Sequence, residues 1–201
     1  MLGVYSIAVF LARSLVDAQT KLTHTVLFPA FSTVAREGPD RLREVFYRVR
    51  LRSDALFLPV SGMLLTAGPA IVRLLYREEY QGAGWMLQLF AIQTAMACVL
   101  TPCETVLFAM GHTRYGFFRS LARAVWILGG MPIAWHAGGL EGLVWVVALS
   151  EVPVLLVLGL AFLRHRMLRP VGELRALAFL GVGAGLGLLA RPILAALEAL
   201  L

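Results

Sequence analysis

The sequence predicts an all-α membrane protein, a polytopic bundle of about six transmembrane helices. Of its 201 residues 59% are hydrophobic and only 15% are charged, and the mean hydropathy is +0.79. A soluble domain of this length exposes far more polar surface. Apolar stretches recur along the whole chain, each near the roughly 20 residues that cross a bilayer as a helix. No stretch alternates with period two, which disfavours a barrel.

The first span runs from about Leu2 to Ala35. Met1 is followed directly by apolar residues with no basic leader, so a cleavable signal peptide is not expected. The second span covers Asp54 to Thr66 and is prolonged by an amphipathic helix starting near Asp40. Gly68-Pro69 is expected to break it, and a short interfacial helix from Ala70 to Arg77 follows. The third span covers Trp85 to Met110, the fourth Tyr115 to Ala134, the fifth Leu140 to Leu163 and the sixth Leu174 to Ala190. After Arg191-Pro192 only a short apolar tail is expected.

Charge placement sets the orientation. Arg36, Arg41, Arg43, Arg48, Arg50 and Arg52 fall in one connection, Arg114, Arg119 and Arg123 near the next on that side, and Arg164, Arg166, Arg169 and Arg175 near the third. The opposite side carries Arg73 and Arg77, with Arg191 a further candidate, and the acids Glu78, Glu79 and Glu141. The arginine-rich side is therefore expected to be cytoplasmic. Tyr76, Tyr80, Trp85 and Trp135 fall at the outer interface, Tyr47, Tyr115 and Phe117 at the inner one. The net charge of +6 does not point to nucleic acid, because the cations are spread over short connections rather than one soluble face. Both termini then lie outside, which leads us to expect a part of a longer protein.

Ionisable groups inside a span are costly and need a reason. In the first helix Ser6, Arg13, Asp17, Thr20, Lys21 and His24 fall within a sector of about 100°. Such a stripe cannot face lipid. It is either an ion-pair ladder that packs helices or the wall of a hydrated cavity, and its net positive charge favours the cavity. In the third helix Gln93, Thr94, Thr101, Glu104 and Thr105 share about a third of the circumference, beside Pro102. Thr and Gln in such helices are more often interhelical contacts than ligands. Glu151, followed by Pro153, sits near the middle of the fifth span. It is either protonated or paired with an arginine from another helix. Arg119 and Arg123 share a face of the fourth helix; Arg119 is expected to reach the headgroups, and Arg123 either does the same or points inward.

Cys98 and Cys103 are five residues apart on different helix faces, so neither a disulfide nor a metal site is expected. Gly181, Gly183, Gly185 and Gly187 give two overlapping G-x-x-x-G spacings for close helix contact. No nucleophile elbow, phosphate loop or enzyme-like carboxylate pair is present, and no cofactor is expected.

The runs Leu2-Gly3-Val4-Tyr5-Ser6-Ile7-Ala8 and Leu27-Phe28-Pro29-Ala30-Phe31-Ser32 resemble the polysaccharide (O-antigen/exopolysaccharide) flippase family of the multidrug/oligosaccharidyl-lipid/polysaccharide exporter superfamily. Ile71-Val72-Arg73-Leu74-Leu75-Tyr76, Glu79-Tyr80 and Met86-Leu87-Gln88-Leu89 are similar to its outer loop and following helix, and Pro102 with Phe108-Ala109-Met110-Gly111-His112 also fits. Members usually carry a glycine before the loop acid, where this chain has Arg77-Glu78.

The resemblance implies half of a two-lobe transporter fold. Residues 1–170 would be the helix bundle of the C-terminal lobe without its first helix, and residues 171–201 an additional transmembrane helix and short tail. The N-terminal lobe would be a missing partner. The implied task is flipping a polyprenyl-diphosphate-linked oligosaccharide across the inner (plasma) membrane, by two lobes rocking about a central cavity. A diphosphate needs cations along a hydrated path. Arg13, Lys21 and Arg123 are the expected substrate cations, with Gln93 and Thr94 toward the sugars. Asp17, His24, Glu104 and Glu151 would tune charge or carry a coupling ion. The partners implied are membrane lipid and the lipid-linked oligosaccharide, not nucleic acid. Other readings are a multidrug exporter of the same superfamily, which would prefer an acidic cavity, and a non-transporting membrane scaffold. A membrane glycosyltransferase or ligase is a further reading, but the longest outer connection, Ala67 to Gly84, is too short for one.

Overall fold

A computed structural model describes residues 2–76 and 78–198. Those residues form helices and no strand: α1 Leu2–Leu22, a π-helical turn Thr23–Leu27, α2 Phe28–Val34, a 3-10 turn Ala35–Glu37, α3 Pro39–Leu75, a 3-10 turn Glu78–Tyr80, α4 Ala83–Ala109, α5 Arg114–Ala148, α6 Glu151–Arg164 and α7 Pro170–Glu198. Four segments are long and apolar enough to cross a membrane: Pro39–Leu75, Ala83–Ala109, Arg114–Arg164 and Pro170–Glu198. The third of these folds back on itself. Gly139 takes φ 55° and ψ −130°, and beyond it Trp126 donates to the Val146 carbonyl and Arg123 meets Glu151. The segment is thus an antiparallel hairpin. Among the described residues four segments qualify by length and composition, one of them this hairpin; α1, with Arg13, Asp17 and Lys21, is not among them.

Prolines explain where the sequence reading and the structure part. The first span is not one α-helix, because Pro29 has no N–H to give the Thr25 carbonyl, and the chain widens into the π turn just before it. Gly68-Pro69 does not break the second span. α3 runs through Pro59 and Pro69 for 37 residues, about 55 Å at 1.5 Å per residue, so its arginine-bearing first half is helix projecting beyond a bilayer core. Pro69 frees the Leu65 carbonyl, and the Gln88 amide of α4 donates to that oxygen at 2.8 Å. The expected interfacial helix from Ala70 is therefore the end of α3, and Arg77 lies outside the described residues. Pro102 likewise frees the Cys98 carbonyl, which the fully buried Gln19 of α1 serves at 2.6 Å. A neighbour that supplies the missing donor lets a helix pass through a proline inside the membrane.

The fifth span is interrupted by a turn at Leu149-Ser150, ahead of α6. The sixth continues through Pro192 to Glu198, so the expected tail is helical that far.

Three apolar clusters hold the bundle. Phe31, Phe46, Leu107, Leu158 and Phe162 pack near the arginine-rich turns. Ala8, Val72, Leu87, Phe90 and Val144 pack at the other end. Phe57, Leu58, Cys98 and Ala176 join α3, α4 and α7. Outside these, Phe10, Leu128, Leu156, Leu160, Leu177 and Leu189 are exposed, an outer surface that suits hydrocarbon rather than water.

Candidate functional site

Between α1, α4, α5 and α6 lies a cleft of about 380 Å³. Its polar wall is built from Arg13, Thr20 and His24 on the first helical segment, Gln93, Thr94, Thr101 and Glu104 on α4, Arg119 and Arg123 on α5, and Glu151 on α6. Seven of the nine sequence-selected residues meet there: Arg13, His24, Gln93, Thr94, Glu104, Arg123 and Glu151. A larger furrow of about 640 Å³ between α5 and α6 is lined mainly by apolar side chains such as Phe118, Leu121 and Leu160, and offers no comparable constellation.

Two selected residues do not line the cleft. Asp17 and Lys21 are exposed and absent from its wall. Lys21 lies about 80° round the helix from Arg13 at 3.6 residues per turn, on the side away from the cleft-lining Val9, Ala12 and Val16. The stripe is thus divided: Arg13 and His24 at the cleft, Asp17 and Lys21 beside it. Neither Asp17 nor Lys21 joins an ion pair among the described residues, so the stripe is not a ladder of salt bridges.

Two ion pairs cross the cleft. Arg119 donates to Glu104 and Arg123 to Glu151. Arg119 was expected to reach toward headgroups; the Glu104 carboxylate one helix away holds it instead. Glu151 is 4% exposed and its Oε2 has no hydrogen-bond partner among protein atoms. Three guanidiniums, of Arg13, Arg119 and Arg123, face two carboxylates, of Glu104 and Glu151, which leaves one guanidinium in excess. Arg13 is the cleft cation with no carboxylate partner among the described residues.

The amides and hydroxyls of α4 hold the walls together. Gln93 Nε2 donates to the Val147 carbonyl at 3.0 Å and to Ser150 Oγ at 2.9 Å, tying α4 to the turn before α6. Thr94 Oγ1 donates to the Ala12 carbonyl at 3.3 Å, tying α4 to α1. The Gln93 carbonyl and the Thr94 oxygen keep acceptor capacity toward the cleft. Among the described residues no group of three or more His, Cys, Asp or Glu is placed to hold a metal ion. Cys98 and Cys103 are free and buried.

Residues 1–84 match the family model of polysaccharide biosynthesis proteins. The match spans α1, α2, α3 and the first residues of α4, and it includes Arg13, Asp17, Lys21 and His24. It supports a flippase-type polysaccharide family, the kind the sequence motifs resemble, and families of this type are in general transporters rather than enzymes. The apolar helices are those of a multi-pass membrane protein, and the match over residues 1–84 points to polysaccharide biosynthesis. No curated protein and no solved structure gives a match.

A second polar constellation escaped the sequence reading, which placed Arg50 among the connection arginines. Arg50 is 1% exposed. Its guanidinium makes two bonds of 2.7 Å to the Glu173 carboxylate and lies 3.2 Å from Asp54. The readable signal was Asp54, one helical turn after Arg50 and so on the same face.

Proposed function

We propose that this chain helps flip a polyprenyl-diphosphate-linked oligosaccharide from the cytoplasmic to the outer leaflet of the inner (plasma) membrane. In this reading it crosses the membrane six times, with the arginine-rich end in the cytoplasm, and forms the C-terminal lobe of a transporter whose other lobe closes the cleft. The observation that carries the reading is the cleft itself, with Arg13, which has no carboxylate partner among the described residues, beside two ion pairs.

The chemistry follows from that balance. A diphosphate entering beside Arg13 competes with Glu104 and Glu151 for Arg119 and Arg123. Charge-assisted, bidentate contacts to phosphate oxygens are strong at low dielectric. While the anion is bound, the displaced carboxylates take up protons or a coupling cation. When the pairs re-form they expel the anion, so binding does not become a trap. Gln93 and Thr94 offer acceptors to sugar hydroxyls, His24 adjusts charge at the cleft, and Asp17 and Lys21 modulate approach from beside it. A multidrug exporter for cationic drugs would need an acidic cavity, and the cleft is net positive.

Binding of farnesyl diphosphate, a short lipid diphosphate, to the purified chain tests this. Arg13→Gln is expected to weaken binding at least tenfold, about 1.4 kcal/mol, and Lys21→Gln by less than threefold. Unchanged affinity in Arg13→Gln overturns the assignment.

A further inference from the structure

Away from the cleft, a second recess of about 420 Å³ opens between α3 and the start of α7. It is lined by Arg43, Arg50, Arg169 and Arg175, with Tyr47 and Asp54 among the remaining residues. Four guanidiniums line it with one carboxylate, Asp54, and the buried Arg50 holds both Asp54 and the neighbouring Glu173. Arg43, Arg169 and Arg175 join none of the ion pairs among the described residues.

The recess is shaped rather than a loose arginine patch. Arg169 stacks over the Tyr47 ring at 5.7 Å from its centroid, and its backbone N–H donates to Tyr47 Oη at 2.7 Å. Arg43 donates to the Arg166 carbonyl at 3.3 Å, and its Nε is buried with no protein acceptor. At the floor, Asp54 is 3% exposed, and its Oδ1 has no protein donor. A ligand matching this set carries an anionic group toward the outer guanidiniums and a hydrogen-bond donor toward Asp54. It also reaches a site flanked by the exposed apolar side chains of Leu51 and Val171.

We infer that the recess between α3 and α7 binds the phosphate headgroup of an anionic membrane lipid whose headgroup bears a hydroxyl, phosphatidylglycerol being the simplest. The phosphate sits among Arg43, Arg169 and Arg175, the hydroxyl donates to Asp54 Oδ1, and the acyl chains lie along Leu51 and Val171. Basic pockets between transmembrane helices near a membrane surface recognise anionic headgroups by this combination. The cationic recess rejects a choline headgroup, whose trimethylammonium has no donor for Asp54. Free phosphate shares the anionic chemistry but lacks the acyl chains.

The test uses the purified full chain, delipidated in an uncharged detergent. Thermal unfolding and native mass spectrometry are followed with added phosphatidylglycerol, phosphatidylcholine or inorganic phosphate. Phosphatidylglycerol is expected to raise the unfolding temperature and give retained adducts, and the other two are expected to do neither. The triple variant Arg43→Gln, Arg169→Gln, Arg175→Gln should lower the apparent affinity at least tenfold. Arg175→Gln alone, at an exposed and unpaired position, should lower it about threefold even if the triple variant folds poorly. Equal stabilisation by phosphatidylcholine, equal stabilisation by inorganic phosphate, or undiminished phosphatidylglycerol binding in Arg175→Gln would each overturn the proposal.

Discussion

Two glutamines serve the carbonyls that Pro102 and Pro69 leave bare inside α4 and α3, Gln19 that of Cys98 and Gln88 that of Leu65. A buried carbonyl left bare costs about 1–3 kcal/mol, so Gln19→Ala should lower stability by about that much. In a Pro102→Ala background the restored backbone N–H serves Cys98, and the same change should cost less than half as much. Unfolding in mixed micelles measures the coupling. The sequence shows each proline but not its rescuer, because Gln19 and Pro102 are 83 positions apart and only tertiary contact joins them. The same gap explains Arg50, whose Glu173 partner lies on α7, whereas its i, i+4 partner Asp54 was within reach of the sequence.

His165 was scattered among four histidines in the sequence, yet it stacks on His112 at 4.3 Å and sits 3.1 Å from Tyr115 Oη, clamping two turns together. Burial first, then the charges of His112, Arg164 and Arg114, lowers its pKa below 6.5. The folded state therefore resists the proton that the unfolded state takes up. Its contribution is intact above pH 6.5 and is lost as pH falls through and below that value. Between pH 7.5 and pH 5.5 the unfolding temperature of the wild type should drop further than that of His165→Gln, and equal drops would contradict the shift.

At the scale of elements, the α3–α7 seam is where the glycine pattern acquires meaning. A Cβ at Gly183 would strike the Pro59 backbone and one at Gly187 the Thr66 side chain, while Gly181 and Gly185 face open space. Periodicity showed two equivalent G-x-x-x-G pairs; it could not say which faces protein, since both faces of a membrane helix are apolar. Gly183→Val should destabilise the bundle by more than about 2 kcal/mol, and Gly185→Val should be within about 0.5 kcal/mol of wild type. A comparable loss for both, measured by thermal unfolding, would contradict the seam. The hairpin turn at Gly139 matches the expected boundary between the fourth and fifth spans. Pro29 signals the π turn at Thr23–Leu27, but the apolar run continues unbroken across it and hides the change of helix type.

For the whole molecule, the all-helical, lipid-facing architecture was legible from composition together with the long apolar runs and the lack of period-two alternation. The site was legible in part. Stripe geometry on single helices brought seven residues to one cleft, yet it could not pair Arg119 with Glu104 or Arg123 with Glu151. Those pairings leave Arg13 as the cleft cation with no carboxylate partner among the described residues, and the stripe's other cation, Lys21, beside the cleft. The central claim is that the cleft carries a lipid-linked diphosphate, and it is tested most directly by polymer export in a flippase-deficient strain. The strain is complemented by the protein carrying Arg13→Gln or Lys21→Gln, at equal protein level. Export should fall at least tenfold with Arg13→Gln and remain within about twofold of wild type with Lys21→Gln; normal export with Arg13→Gln would contradict the account.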